Sequence, residues 1–222
     1  MIFSIDNVLT PEELQFIVDS LDRADFVDGK TTAGWHAKFV KNNIQLNSES
    51  TDAKDLRELV KVALKRSALF QSALLPRIVH SILFSRYETG MSYGRHVDNA
   101  LMGDREFLRS DVSFTLFLSS PSSYEGGELV IECSDGDRTY KLEAGSAIIY
   151  PSSTLHWVEP VIEGVRLAAV GWVQSLVRDA SDREVLFDLD TARRSIFAKE
   201  GKTIEFDLIS KSYANLLRKW AE

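Results

Sequence analysis

Apolar residues at Leu14, Phe16, Ile17, Val18 and Leu21 recur at helical spacing and predict an amphipathic helix to about Asp22. Its start is written in Thr10-Pro11-Glu12-Glu13. Thr10 can cap, Pro11 suits the first helical position, and Glu13 can close a capping box. Phe26-Val27-Asp28-Gly29-Lys30 reads as a turn in which Asp28-Gly29 supplies a positive φ. Ala37 to Leu46 is expected to be extended. Leu56, Leu59, Val60, Val62 and Leu64 predict a second helix over Ala53 to about Leu69.

From about Ile78 the pattern changes period. Short β-prone runs follow one another: Val79–Tyr87, Val112–Leu118, Glu128–Glu132, Arg138–Leu142, Ala147–Tyr150, His156–Pro160 and Val165–Trp172. Thr89-Gly90, Asp135-Gly136, Ala144-Gly145 and Glu163-Gly164 punctuate them, a rhythm that indicates a β-sandwich or barrel. Within Asp111–Leu118 polar and apolar residues alternate, placing Ser113, Thr115 and Phe117 on one face. After Ser175 helical stripes return, in Val185-Leu186-Phe187, Ile196-Phe197 and Leu208 to Trp220. The fold class expected is α+β: a β core over about 78–175, an N-terminal helix-and-strand segment (1–77) packed on it, and a C-terminal helical extension (176–222). Phe197, Tyr213 and Trp220 in that extension suit either a cover for the core or a homo-oligomer interface.

Composition narrows the function. With 222 residues and 44% apolar content the chain is a packed globular protein. A net charge of −7 argues against nucleic acid as partner, because phosphate binding relies on a positive face. Cys133 is the only cysteine, so no internal disulfide forms, which suits a reducing cytoplasm. No stretch approaches the roughly 20 apolar residues of a membrane helix, and the start of the chain lacks the basic residues of an export signal. A cytoplasmic protein without a membrane partner is the expectation.

The chemistry is concentrated in Tyr93-Gly94-Arg95-His96-Val97-Asp98, answered far downstream by His156 and Arg166. Two imidazoles and one carboxylate are the ligand set that holds a non-haem ferrous ion on one face and leaves the opposite positions open. His96 and Asp98 are two apart, so on an extended strand both side chains project to one side. Arg166 lies within the apolar run Val165–Val173, and an arginine so placed is costly to bury unless an anion meets it. The bland alternatives are a surface turn at His96–Asp98 and an Arg166 paired with an internal carboxylate. His36 and His80 lack ligand spacing and read as surface or satisfied structural residues.

The order of these segments resembles the 2-oxoglutarate and iron(II)-dependent dioxygenases with a prolyl-4-hydroxylase-like core. More closely, the chain is similar to the PKHD-type hydroxylases, the bacterial PiuC/YbiX-like group. That resemblance is carried by Val40-Lys41-Asn42-Asn43, Arg86-Tyr87, Tyr93–Asp98, Thr115–Ser119, Tyr124-Glu125-Gly126-Gly127-Glu128-Leu129, Tyr150–His156, Gly164-Val165-Arg166 and Val173–Asp179, and it spans nearly the whole chain. It implies a double-stranded β-helix (jelly roll), with His96, Asp98 and His156 as ligands of Fe(2+) and Arg166 gripping the distal carboxylate of 2-oxoglutarate. Thr115 and Tyr87 are weaker candidates for hydroxyl contacts to that cosubstrate. Asn43, Gln45, Tyr93 and Trp157 are candidates for the substrate pocket, with ordinary packing or strand-edge hydrogen bonding as the alternative. The implied reaction consumes O2 and hydroxylates a small-molecule or protein substrate, yielding succinate and CO2, with L-ascorbate as auxiliary reductant. Asp98 favours hydroxylation, since related halogenases lack the carboxylate. Two other readings stand beside this one: a cupin-like metal- and anion-binding module without turnover, and a nucleic-acid demethylase on the same scaffold.

Overall fold

The computed structural model describes residues 1–103 and 107–222. Helix α1 (Pro11–Asp22) opens with the expected capping box: the Glu13 N–H donates to Thr10 Oγ1 and the Thr10 N–H donates to the Glu13 carboxylate. Its apolar stripe buries Ile17 and Leu21. Helix α2 (Thr51–Arg66) ends three residues before the expected Leu69. Ser67 leaves helical geometry with ψ 112°, and its hydroxyl caps a new helix, α3 (Ala68–Leu74), by accepting from the Phe70 N–H. A serine competes with the backbone in this way, which breaks one periodic run into two helices.

Strands are numbered in chain order, and every registered pairing between them is antiparallel. The larger sheet runs β1 (Phe3–Ile5), β13 (Ala147–Pro151), β9 (Val112–Phe117), β16 (Arg166–Ser175), β5 (Pro76–Tyr87), β4 (Ile44–Leu46) and β2 (Phe26–Asp28). The smaller runs β12 (Arg138–Tyr140), β11 (Leu129–Ile131), β14 (His156–Val158), β6 (Ser92–His96) and β3 (Lys41–Asn42). Two ribbons complete the set, β10 (Tyr124–Gly126) with β15 (Val161–Gly164) and β7 (Leu101–Met102) with β8 (Leu108–Arg109). The first 77 residues thus supply edge strands to both sheets as well as helices.

Alternation along β9 divides two cores. Phe114 and Leu116 join Ile17, Leu21, Leu56, Val60, Leu64 and Phe70, the layer between the larger sheet and the N-terminal helices. Phe117 turns the other way and joins Tyr87, Tyr150, Leu129, Ile131 and Val158, residues drawn from both sheets. Helix α4 (Ala180–Glu200) packs on α3 and on α5 (Ile204–Trp220). Tyr213 lies under the Arg193 guanidinium at 4.1 Å, and Phe197 meets Phe206 at 5.2 Å between ring centroids.

Two local expectations are corrected. Phe26–Asp28 is a strand, not a turn, because it pairs with Ile44–Leu46 at the sheet edge. Gly29 begins a 3-10 turn without a positive φ, and Asp28 Oδ1 accepts from the Lys30 N–H there at 2.9 Å. The glycine is needed for close approach instead: its N–H donates to the Asn43 carbonyl at 2.9 Å, and a Cβ would collide with the Asn43 amide. Ala37–Phe39, expected to be extended, forms a 3-10 turn before β3 and β4 begin.

Candidate active site

His96 ends β6, and His156 starts β14 directly opposite it in register. Asp98 lies just beyond the end of β6, so the two-residue spacing works at a strand exit and not along the strand. One ligand atom from each of His96, Asp98 and His156 falls within 4.8 Å of the others. His156 Nε2 stands 3.9 Å from Asp98 Oδ2. The surface-turn reading of His96–Asp98 therefore fails.

Both imidazoles are oriented by the backbone two residues upstream. His96 Nδ1 donates to the Gly94 carbonyl at 2.8 Å, and His156 Nδ1 donates to the Thr154 carbonyl at 3.0 Å. A carbonyl only accepts, so each Nδ1 carries the proton and each Nε2 presents its lone pair inward. Burial, reinforced by the His156 ring alongside, pulls the His96 pKa well below the ordinary histidine value and favours the neutral, ligating form. Tyr93 stacks on His96 at 3.6 Å between centroids, and burial pushes its own phenol upward.

The triad opens into a cavity of about 720 Å³ between the sheets. Arg166, 1% exposed, forms part of its wall. Its guanidinium lies over the rings of Tyr87 at 5.0 Å and Phe117 at 5.6 Å, while Nε and Nη2 have no hydrogen-bond partner. No ion pair among the described residues includes it, so the internal-carboxylate alternative also fails. A buried guanidinium with vacant donors is costly to a fold unless an anion meets it.

Thr115, Tyr87, Asn43, Gln45 and Tyr93 all line this cavity. Trp157 does not. The pleat of β14 turns His156 and Val158 inward and Trp157 outward, where its Nε1 donates to Glu159 Oε1 at 2.7 Å. His80 is a satisfied structural residue, with Nδ1 at 3.1 Å from Ser81 Oγ and Nε2 at 3.3 Å from the Arg109 carbonyl. His36 is exposed.

Sequence reasoning missed four contributors. Ser113 Oγ donates to Asp98 Oδ2 at 2.6 Å, a role foreshadowed only by its shared face with Thr115. Tyr150 lines the cavity with its hydroxyl 3.5 Å from Thr115 Oγ1. The Tyr124 hydroxyl is buried beside the Arg166 guanidinium, and burial pushes its phenol upward against the pull of that charge. Lys41 is buried in the cavity wall. Both tyrosines open segments that carry the family resemblance, but an aromatic on a β-strand ordinarily just packs, so the pattern gave neither a role.

Comparison with known proteins agrees with this geometry. Residues 82–174 match the 2OG-Fe(II) oxygenase superfamily, and residues 180–222 match the PKHD-type hydroxylase C-terminal domain. The chain is 66% identical over 222 residues to a PKHD-type hydroxylase of Rippkaea orientalis, covering 100% of both chains. It is 67% identical over 222 residues to one from Acaryochloris marina, again covering 100% of both. Among solved structures, a prolyl-4-hydroxylase from Pseudomonas putida shares the fold, with a TM-score of 0.53 at 19% identity over 78% of this chain and 92% of that one. Among the described residues, no helix is long and apolar enough to cross a membrane.

Proposed function

The chain belongs to the PKHD-type hydroxylases, and we propose that the cavity between its sheets is where an iron(II)- and 2-oxoglutarate-dependent dioxygenase does its chemistry. The enzyme is an oxidoreductase that uses both cofactors. The reading of a binding module without turnover gives way to this assignment. In the finer reading, the two facing sheets are the halves of a double-stranded β-helix, with residues 78–175 as the catalytic portion.

The donor set fits the metal: two neutral imidazoles and one carboxylate suit a ferrous ion and leave its remaining positions free. His96, Asp98 and His156 would hold it. The observation that carries the cosubstrate is the orphaned guanidinium of Arg166, whose planar fork matches a carboxylate. Bound iron supplies dioxygen activation coupled to decarboxylation of 2-oxoglutarate to succinate and CO2, with one oxygen atom delivered to a substrate C–H.

The chain's own residues place the reactants. Gly94 and Thr154 carbonyls fix the imidazole tautomers, and Ser113 fixes the carboxylate. Arg166 holds the far end of the cosubstrate, with Thr115, Tyr87 and Tyr124 offering hydroxyls around it. Asn43, Gln45 and Tyr93 face the substrate, a small molecule or a protein side chain. Aromatic walls from Tyr87, Phe117 and Tyr150 exclude water from the closed end. L-Ascorbate as reductant rests on the family resemblance alone. The test is 2-oxoglutarate-dependent oxygen consumption with succinate formation. Wild-type protein is expected to turn over slowly without substrate, and His96→Ala to lose both metal and turnover; equal activity in the two would refute the assignment.

A further inference from the structure

Strands β3 and β4 invert the usual burial pattern. Lys41, Asn43 and Gln45 are 4%, 3% and 2% exposed, while Asn42 faces solvent. Positions two apart on an extended chain share a face, and this polar face lines the cavity. Gln45 is engaged at both ends: its Oε1 accepts from Thr32 Oγ1 at 2.5 Å and its Nε2 donates to Ser85 Oγ at 3.2 Å. Lys41 is not. Its ammonium donates once, to Thr32 Oγ1 at 3.0 Å, and stands 5.1 Å from the centroid of Tyr93, the ring stacked on His96. The Asn43 side chain lies beside the Tyr87 hydroxyl and makes no hydrogen bond that meets full geometry. No ion pair among the described residues includes Lys41.

Charge sharpens the point. The protein carries −7 overall, yet among the described residues the charged side chains lining this cavity near the triad are Lys41 and Arg166 against Asp98. When the site is loaded, a divalent ion, the Asp98 carboxylate, a doubly charged cosubstrate and Arg166 cancel. Lys41 is left as a cation in excess beside the metal-binding end of the cavity. Burial already pushes its ammonium down to about 8, against the pull of Asp98 and Asp28. A buried, unpaired ammonium is costly to a fold and is relieved by an anion brought in from outside.

We infer that Lys41, with Asn43 beside it, binds a carboxylate on the substrate and so presents a neighbouring C–H to the metal. The substrate class is therefore a carboxylic acid: a small-molecule acid or a peptide carrying one. This inference rests on the iron and 2-oxoglutarate assignment above.

The test uses the full chain loaded anaerobically with manganese(II) and 2-oxoglutarate. Small carboxylic acids (phenylacetate, hippurate, N-acetyl amino acids) and their primary amides serve as probes, read by paramagnetic broadening of their proton resonances. The acids are expected to broaden and the amides not. Lys41→Met is expected to weaken acid binding about tenfold or more while leaving 2-oxoglutarate affinity unchanged. Lys41→Arg, which keeps the charge, is expected to retain the preference and controls for a misfolded methionine variant. Equal broadening of acids and amides, or wild-type protein that draws none of the acids, overturns the inference. So does a Lys41→Met protein that loses 2-oxoglutarate as well, which would place Lys41 in the cosubstrate site. Wild-type protein that takes up neither manganese nor 2-oxoglutarate overturns the underlying assignment instead, and this inference with it.

Discussion

Ser113 Oγ donates to Asp98 Oδ2 at 2.6 Å and lies 2.8 Å from Ser152 Oγ. Because the Ser113 proton is committed to the carboxylate, Ser152 must be the donor of the second bond. A hydroxyl from β9 and one just past the end of the adjacent β13 thus steer the only carboxylate of the triad, which lies beyond the end of its own strand and has no ladder to hold it. Ser113→Ala is expected to leave the fold intact and to weaken metal binding about 10–100-fold, the usual effect of losing such a support. Titration calorimetry with manganese(II) reads this directly, and unchanged affinity would reject the steering role.

Arg166→Ala separates metal from cosubstrate. The variant is expected to bind metal as wild type does and to weaken 2-oxoglutarate by about 2–5 kcal/mol, which is thirtyfold or more. Calorimetry with the metal-loaded protein gives both values; normal 2-oxoglutarate binding would show that the guanidinium is not the anchor.

Gly127 adopts φ +66°, and a Cβ there would lie 3.1 Å from Arg166 Cδ and 2.9 Å from Val161 Cγ2. Gly127→Ala therefore strains the backbone and presses on the arginine. A cost of about 1–3 kcal/mol is expected, lowering the thermal midpoint by several degrees. Weaker 2-oxoglutarate binding should accompany it. A variant with wild-type midpoint and affinity would contradict the packing described.

Burial, then the neighbouring His156 ring, holds His96 at about 4, and burial lowers His80 as well. In the unfolded chain both titrate near about 6.5. Between those values the unfolded state binds more protons than the folded one. Stability that is full above about 6.5 is consequently lost as pH falls toward 4. Calorimetric scans of metal-free protein should show the midpoint falling across that window, and bound metal should carry the plateau to lower pH. A flat profile in the metal-free protein would contradict the burial of His96.

Lys41 acts at the alkaline end. Its ammonium titrates at about 8 in the fold against 10.5 in an exposed chain, so stability rises as pH climbs between the two. Lys41→Met is expected to raise the midpoint of the metal-free protein at pH 7, with the gap narrowing toward pH 10. A constant gap would mean that the lysine is not buried as a charge.

Much of this was legible in the sequence where local chemistry was strong. The Thr10–Glu13 box placed α1, and period-two alternation put Ser113, Thr115 and Phe117 on one face of β9, where the first two line the cavity and Phe117 packs in the core beside it. Arg166 was legible because a charge inside an apolar strand demands an explanation that packing does not supply. Other features depend on distant partners. Phe26–Asp28 is a strand only because Ile44–Leu46 lies beside it, and Ser67 divides one helical stripe by a cap that periodicity does not register. Trp157 sits next to a ligand in sequence yet faces away, as strand pleating requires. The Tyr150 hydroxyl reaches Thr115 only because β13 pairs with β9, a register that no local pattern announces.

The central claim is that His96, Asp98, His156 and Arg166 bind one metal and one cosubstrate in a single cavity. An anaerobic crystal structure with manganese(II) and 2-oxoglutarate tests it most directly. The expected result is one ion coordinated by His96 Nε2, His156 Nε2 and the Asp98 carboxylate, with the distal carboxylate of 2-oxoglutarate on the Arg166 guanidinium. An ion bound elsewhere, or a cosubstrate that leaves Arg166 unpaired, would contradict it.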